Sequence, residues 1–398
     1  MVSEKEKNQH NAFKRSDHVR GVWNYRYLFR VDLRLVLVIL ALMAISLITI
    51  SSFSAQIPID GTDVSFFTPI VKQQIRWFAI GSVVFIFFAC FDYNLLREWT
   101  WLLYGVVILL LFGLFFTNPI QHVHRWYKIP LLPNFQPSEY AKLIVVIALS
   151  WFLERRQNQV SSWSTAFLSL IIVGVPFLMI LKQPDLGTAL VLLPITLVMF
   201  YFGGVKPIVV KTMAWGAACL LLVVALIFTG VISHEQLRPY ATTVIKDYQF
   251  DRLNPNTDHQ RAASTAIAIG GFFGTGWRAG EYTRGGWLPA AYTDSVFPAF
   301  GEEFGLTGLL ILLALFYALL YFSFQVTAVA VDPFGRLLSA GISVYLAMHI
   351  LINIGMMTGL LPITGVPLIL ITYGGSSILS TMTALGILQS IYTRRFMF

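Results

Sequence analysis

Charge is scarce in this sequence. Only 12% of its 398 residues are Asp, Glu, Lys or Arg, about half the ~25% of a soluble domain. A chain so poor in charge cannot clothe a globular surface, which excludes a soluble protein. Cysteine is scarcer still. Its two representatives, Cys90 and Cys219, both fall inside apolar runs, which excludes a disulfide framework and reads them as small core residues. No short apolar core with a small-residue cleavage site follows the N terminus, so no removable signal peptide is expected.

What is present is hydrophobicity, 56% of the chain, gathered into runs near 20 residues. Each run is long enough to cross roughly 30 Å of hydrocarbon. The expected fold is an all-α polytopic membrane protein with ten transmembrane helices, near 35–54, 77–94, 99–117, 139–153, 163–181, 186–203, 208–232, 302–328, 337–358 and 368–391. Four regions follow: a cytoplasmic N-terminal tail over 1–34, spans one to seven over 35–232, a large extracytoplasmic loop over 233–299, and spans eight to ten with a short cytoplasmic tail over 300–398. The N-terminal tail holds eight basic residues. Arg97, Arg155, Arg156, Lys206, Lys211, Arg336, Arg394 and Arg395 fall on the same side. Basic residues stay inside, so both termini are expected in the cytoplasm. The +8 net charge is then a topology signal and not the mark of a nucleic-acid partner.

Polar groups inside such a chain ask for a reason, since a charge within the bilayer costs at least ~2.5–3.5 kcal/mol. The fourth span opens with "FQPSEYAKL", where Glu139 and Lys142 share a helix face three residues apart. Either they form a structural ion pair, or they line a wet cavity. Just upstream, "HVHRWYKIP" adds Arg125 and Lys128, suited to an anionic headgroup. His122 and His124 carry no further ligand signature and do not make a metal site. In "LKQPDLGTAL", Asp185 is placed to cap the sixth helix, and with Lys182 it falls on the same outer face. The 233–299 loop is long enough to be functional. Its "AIGGFFGTGWRAG" segment offers glycines that let backbone approach a ligand, plus Arg278. "AYTDSVFPAFGEEFGLTG" adds Asp294, Glu302 and Glu303 at re-entry, the two glutamates as helix-start acids. "TYGGSS" suits close helix packing. Three segments thus bring charge to one side of the membrane, which points to a polar cavity open to the outside.

These motifs, with "YQFDRLNPNTD" and "NIGMMTGLLPITGVPLILITYGGSS", resemble in content and order the SEDS family (shape, elongation, division and sporulation), its RodA branch in particular, over about residues 73–392. The resemblance implies a peptidoglycan glycosyltransferase that polymerises lipid II on the outer face of the bacterial cytoplasmic membrane. It also implies a class B penicillin-binding transpeptidase and elongation-complex membrane proteins as partners. A catalytic aspartate after an N-P-x-x selects Asp258 as the base, with Arg125, Lys142 and Arg278 neutralising the diphosphate, alone or with a divalent cation (Mg or Mn). Glu139 would orient Lys142, Asp185 would shape the cavity, and Asp294 would be among the substrate-binding residues. Two departures stand out. The family's D-P-x-G-x-G-Y run is here "DHQRAAST", and its H-T-D-F is Tyr292-Thr293-Asp294-Ser295; Asp251 and Asp294 therefore remain alternatives for the base. A flippase of lipid-linked precursor and a non-enzymatic scaffold are the competing classes.

Overall fold

A helix that is apolar on every side needs lipid or protein around all of it. In the computed structural model, which describes residues 23–53, 66–117, 124–128, 134–241, 250–255 and 257–395, eight helices are long and apolar enough to cross a membrane. They are α1 (Leu33–Phe53), α2 (Pro69–Cys90), α3 (Leu95–Gly113), α5 (Trp163–Lys182), α6 (Leu186–Gly203), α7 (Pro207–Phe228), α11 (Val296–Val329) and α12 (Pro333–Met357), with α4 (Pro137–Arg155) and α13 (Gly375–Thr393) completing the long helices. Most of the N-terminal tail, His122, Lys246 and Asp247 lie outside the described residues.

The two expected spans that fall short on composition, α4 and α13, are the two that least need lipophilic surfaces. Fourteen of 19 residues of α4 and 15 of 19 of α13 are buried, against three of 22 in α7. Helix α4 packs on α3, α5, α6, α12 and α13, and α13 packs on α2, α4, α11 and α12. Helices with protein neighbours on most sides can carry Ser, Thr, Gln and charge that a lipid-facing helix cannot. Cys90 is buried as expected, whereas Cys219 is exposed on the outward face of α7 and is not a core residue.

Between α7 and α11 lie α8 (His234–Ala241), α9 (Asp258–Gly270) and the single turn α10 (Glu281–Arg284). The part of this region after residue 256 is packed against the bundle. Helix α9 packs against α11 and α12, and the glycine-rich stretch after it is spliced into a break in α11. At Gly305 the backbone turns to φ 62°, ψ −163°, a region open essentially to glycine alone. There Leu306 and Thr307 donate their N–H groups to the carbonyls of Gly271 and Phe272 (2.9 and 3.1 Å). The carbonyls of Glu302 and Glu303, deprived of their helical donors, take the N–H groups of Thr275 and Gly276 (2.9 and 3.0 Å). The break thus leaves these buried backbone groups satisfied. The glycines expected to admit a ligand instead admit the chain's own backbone. Gly274→Ala, at φ +84° with the Glu303 carbonyl where a methyl would go, is expected to cost about 2 kcal/mol or more, read as a lower thermal midpoint in detergent.

The same break corrects two further expectations. The eighth span starts at Val296, not near 302, because a short helical segment precedes Gly305. Glu302 and Glu303 are not mere helix-start acids. Buried Glu302 accepts the N–H groups of Tyr282 and Thr283 (2.8 and 2.9 Å) and the Thr283 hydroxyl, capping α10. Glu303 accepts the Arg278 N–H at 3.2 Å and the Ser52 hydroxyl, tying the loop to α1.

Candidate active site

The site is built from the starts of α4, α6 and α9, the turn before α11, and the connection between α12 and α13. Asp185 does cap α6, accepting the Thr188 N–H at 3.4 Å, but its role is wider. It also accepts from the Thr188 hydroxyl (2.9 Å), the Ser138 hydroxyl (3.0 Å) and the Gln136 amide (3.1 Å), while Arg125 stands 4.0 Å away. Arg125 is fixed from behind by donating to the backbone carbonyls of Gln183 (3.3 Å) and Pro184. One buried carboxylate therefore joins three segments and holds a guanidinium.

Within the first two turns of α4 lies a buried polar chain. Lys142 donates to Glu139 (2.8 Å) and to Nε2 of His349 (2.7 Å), and all three side chains are buried. His349 turns its Nδ1 to the Pro367 carbonyl at 3.2 Å. An ammonium donor on one nitrogen and a carbonyl acceptor on the other fix a neutral ring protonated at Nδ1. The chain ends on the 364–368 loop, which is the common neighbour of the whole site. Arg252 donates to the Thr364 carbonyl (3.4 Å) and Asn353 to the Val366 carbonyl (2.8 Å). Gly187 of α6 comes so close that a methyl there would lie 2.7 Å from the Thr364 oxygen.

Asp294 occupies the turn before α11. Its backbone carbonyl accepts from Asn353 at 3.2 Å, and burial pushes its carboxyl above the ordinary carboxylate range, opposed by His259, Arg252 and Arg125. Three basic side chains from three segments thus act on one carboxylate. His259 meets the Ser295 hydroxyl at 2.6 Å; burial lowers its pKa, with Asp294 opposing. Asp258, next to His259 in the first turn of α9, is exposed. The exposed aspartate and the cationic cluster share one end of the bundle.

Of the residues expected at the site, Arg125, Asp185 and Asp294 come together, with Asp258 at the start of the helix that carries His259, and Glu139 and Lys142 lie beneath as a buried ion pair. Arg278 does not join them. It sits with Glu303 and stacks on Trp277 (4.4 Å), beyond the far end of α9, a helix roughly 18 Å long at 1.5 Å per residue. Asp251 pairs instead with Arg238 at 3.3 Å, both exposed. Arg252, His259, His349 and Asn353 were missed in the sequence, although His349 and Asn353 are polar residues in an apolar span, itself a signal. Among the described residues no group of three His, Cys, Asp or Glu side chains is placed to hold a metal ion. A separate cavity of about 610 Å³, lined by Asp92, Arg97, Glu98, Trp151, Glu154 and Arg155, lies at the other end of α4. Its Arg97 is bound to Glu154 (3.0 Å) and Asp332.

The fold and this polar end define an integral membrane protein, largely helical, with a carboxylate-bearing site that also holds basic side chains at one end of its packed helices. The chain belongs to the cell cycle protein family of FtsW, RodA and SpoVE, whose model matches residues 33–396. It is 30% identical over 376 residues to the peptidoglycan glycosyltransferase MrdB of Escherichia coli K12, covering 92% of this chain and 94% of the relative. It is 31% identical over 386 residues to a probable peptidoglycan glycosyltransferase FtsW of Geobacter sulfurreducens, covering 93% and 97%. Among solved structures it resembles a chain described under structural coordination of polymerization and crosslinking by a peptidoglycan synthase complex (TM-score 0.73, 26% identity, 92% and 98% covered). The rod shape determining protein RodA of Thermus thermophilus shares the fold (TM-score 0.66, 24% identity, 92% and 98% covered).

Proposed function

We propose that this chain is a peptidoglycan glycosyltransferase that polymerises lipid II into glycan strands during cell elongation and releases undecaprenyl diphosphate. The observation that carries this reading is the convergence of Arg125, Arg252 and His259 on Asp294 beside the exposed Asp258. A glycoside hydrolase needs two carboxyl groups, one to protonate a poor leaving group. A diphosphate departs as a stable anion, so cations replace the acid and one base suffices. Asp258 accepts the proton of the acceptor sugar hydroxyl as that oxygen attacks the anomeric carbon, and the bonding pair leaves with the diphosphate. Arg125 and Arg252 neutralise it, Asp185 fixes Arg125, and Asp294 sets the spacing of the cations. Lys142, expected to touch the diphosphate, acts from beneath through Glu139 and His349. Arg278 anchors the loop.

The same reading takes α4 and α13 as spans, making ten, with both termini in the cytoplasm of a bacterium and the 233–299 loop outside. A class B penicillin-binding transpeptidase and other elongation-complex membrane proteins are the partners it implies. Purified protein given lipid II in detergent micelles is expected to form glycan strands, resolved by gel. A flippase would give none, because a micelle has no second leaflet. Absence of glycan, with the partner transpeptidase present, would remove the polymerase reading.

A further inference from the structure

Asp258 is exposed, so its direction is set by the turn that carries it. That turn is held at three points. Thr257 accepts the Gln260 N–H at 3.3 Å, and the Gln260 amide donates to the Leu361 carbonyl at 3.1 Å. The third is the 2.6 Å bond between His259 and Ser295. The first two hold α9 to itself and to the segment after α12. The third runs to the turn that presents Asp294, whose partner Ser295 is fully buried and fixed by its own backbone: it donates to the Ala290 carbonyl at 3.1 Å and accepts from Ala299 at 3.2 Å. Both ends of this bond stand where the chain departs from the family motifs, His259 in "DHQ" and Ser295 in "YTDS". The two departures meet in space.

We propose that His259 is a positioning residue that fixes the turn bearing Asp258 relative to Asp294, through its hydrogen bond to Ser295. The inference rests on the glycosyltransferase reading, with Asp258 as base. A neutral imidazole serves here: its Nε2 faces the Ser295 hydroxyl, and its charge is not needed where Arg125 and Arg252 already offset Asp294. Without the bond the first turn of α9 keeps its cap and its Gln260 anchor, so the helix persists while the carboxylate loses its bearing. A misplacement on the order of 1 Å costs about 10²-fold in rate.

The test is lipid II polymerisation by the full chain in micelles. Wild-type turnover is measured first, since an inactive wild type overturns the glycosyltransferase reading and not the geometry. His259→Ala is expected to lower kcat about 10- to 100-fold, with KM for lipid II within about twofold and an unchanged thermal midpoint. His259→Gln, whose amide can reach the same hydroxyl, recovers most of the turnover. Ser295→Ala removes the bond from its other end and reproduces the His259→Ala loss, and it carries the test if His259→Ala does not fold. Wild-type kcat in His259→Ala, or a loss that Gln does not relieve, overturns the proposal.

Discussion

Asp258→Asn is expected to reduce lipid II polymerisation by about 10²- to 10⁴-fold, the contribution of a placed general base, with expression and thermal midpoint nearly unchanged. The stability side follows from position. An acidic residue in a helix's first turn gains only about 0.3–1 kcal/mol from the helix dipole when exposed, and Asp258 is exposed at the start of α9. The activity side follows from chemistry, since an amide has no proton affinity to offer a sugar hydroxyl. The two alternative aspartates are separable by the same assay. Asp251 is exposed and paired with Arg238, so Asp251→Asn should leave the rate within about twofold, as surface changes generally do. Asp294→Asn should lower activity as well, because it leaves Arg125 and Arg252 without their shared counter-charge. A rate retained in Asp258→Asn and lost in Asp294→Asn would transfer the base to Asp294.

Local signals were read well and distant ones poorly, for a physical reason. Asp185 as a helix cap and Glu139 with Lys142 on one face are consequences of spacing along a single helix, and both stand in the structure. Helix ends strayed where charge sits inside a span: Lys72 and Arg76 hid the first two turns of α2, which Thr68 and Pro69 open. What could not be read is what two remote segments do jointly. His349 meets Lys142 across 207 residues and His259 meets Ser295 across 36, and no periodicity encodes either. The exchange of hydrogen bonds around Gly305 is of the same kind. The "AIGGFFGTGWRAG" segment looked ready for a ligand on its own, and only its meeting with the break at Gly305 shows that the two accommodate one another.

Lys142→Met tests whether the buried chain beneath the site is scaffold or mechanism. Removing one partner of a buried pair strands the other, at about 3–5 kcal/mol, and here the stranded group is Glu139, whose Oε2 already has no hydrogen-bond partner. The single variant is therefore expected to lose both stability and polymerisation. The informative protein is Glu139→Gln with Lys142→Met, which removes the uncompensated charge and replaces the lysine with an unbranched side chain of similar length. Its thermal midpoint should recover most of the loss, because isosteric replacement of a whole buried pair is close to neutral. Its activity should not recover. His349 would lack the donor that holds its Nε2, and the tie from α4 through His349 to the Pro367 carbonyl would end one residue short. The 364–368 loop would then be free to shift beneath Arg252 and Asn353. A double variant restored in both stability and rate would show that the charges serve the fold alone. Recovery of stability without rate would instead make the ion pair the base on which the polar end of the bundle is registered.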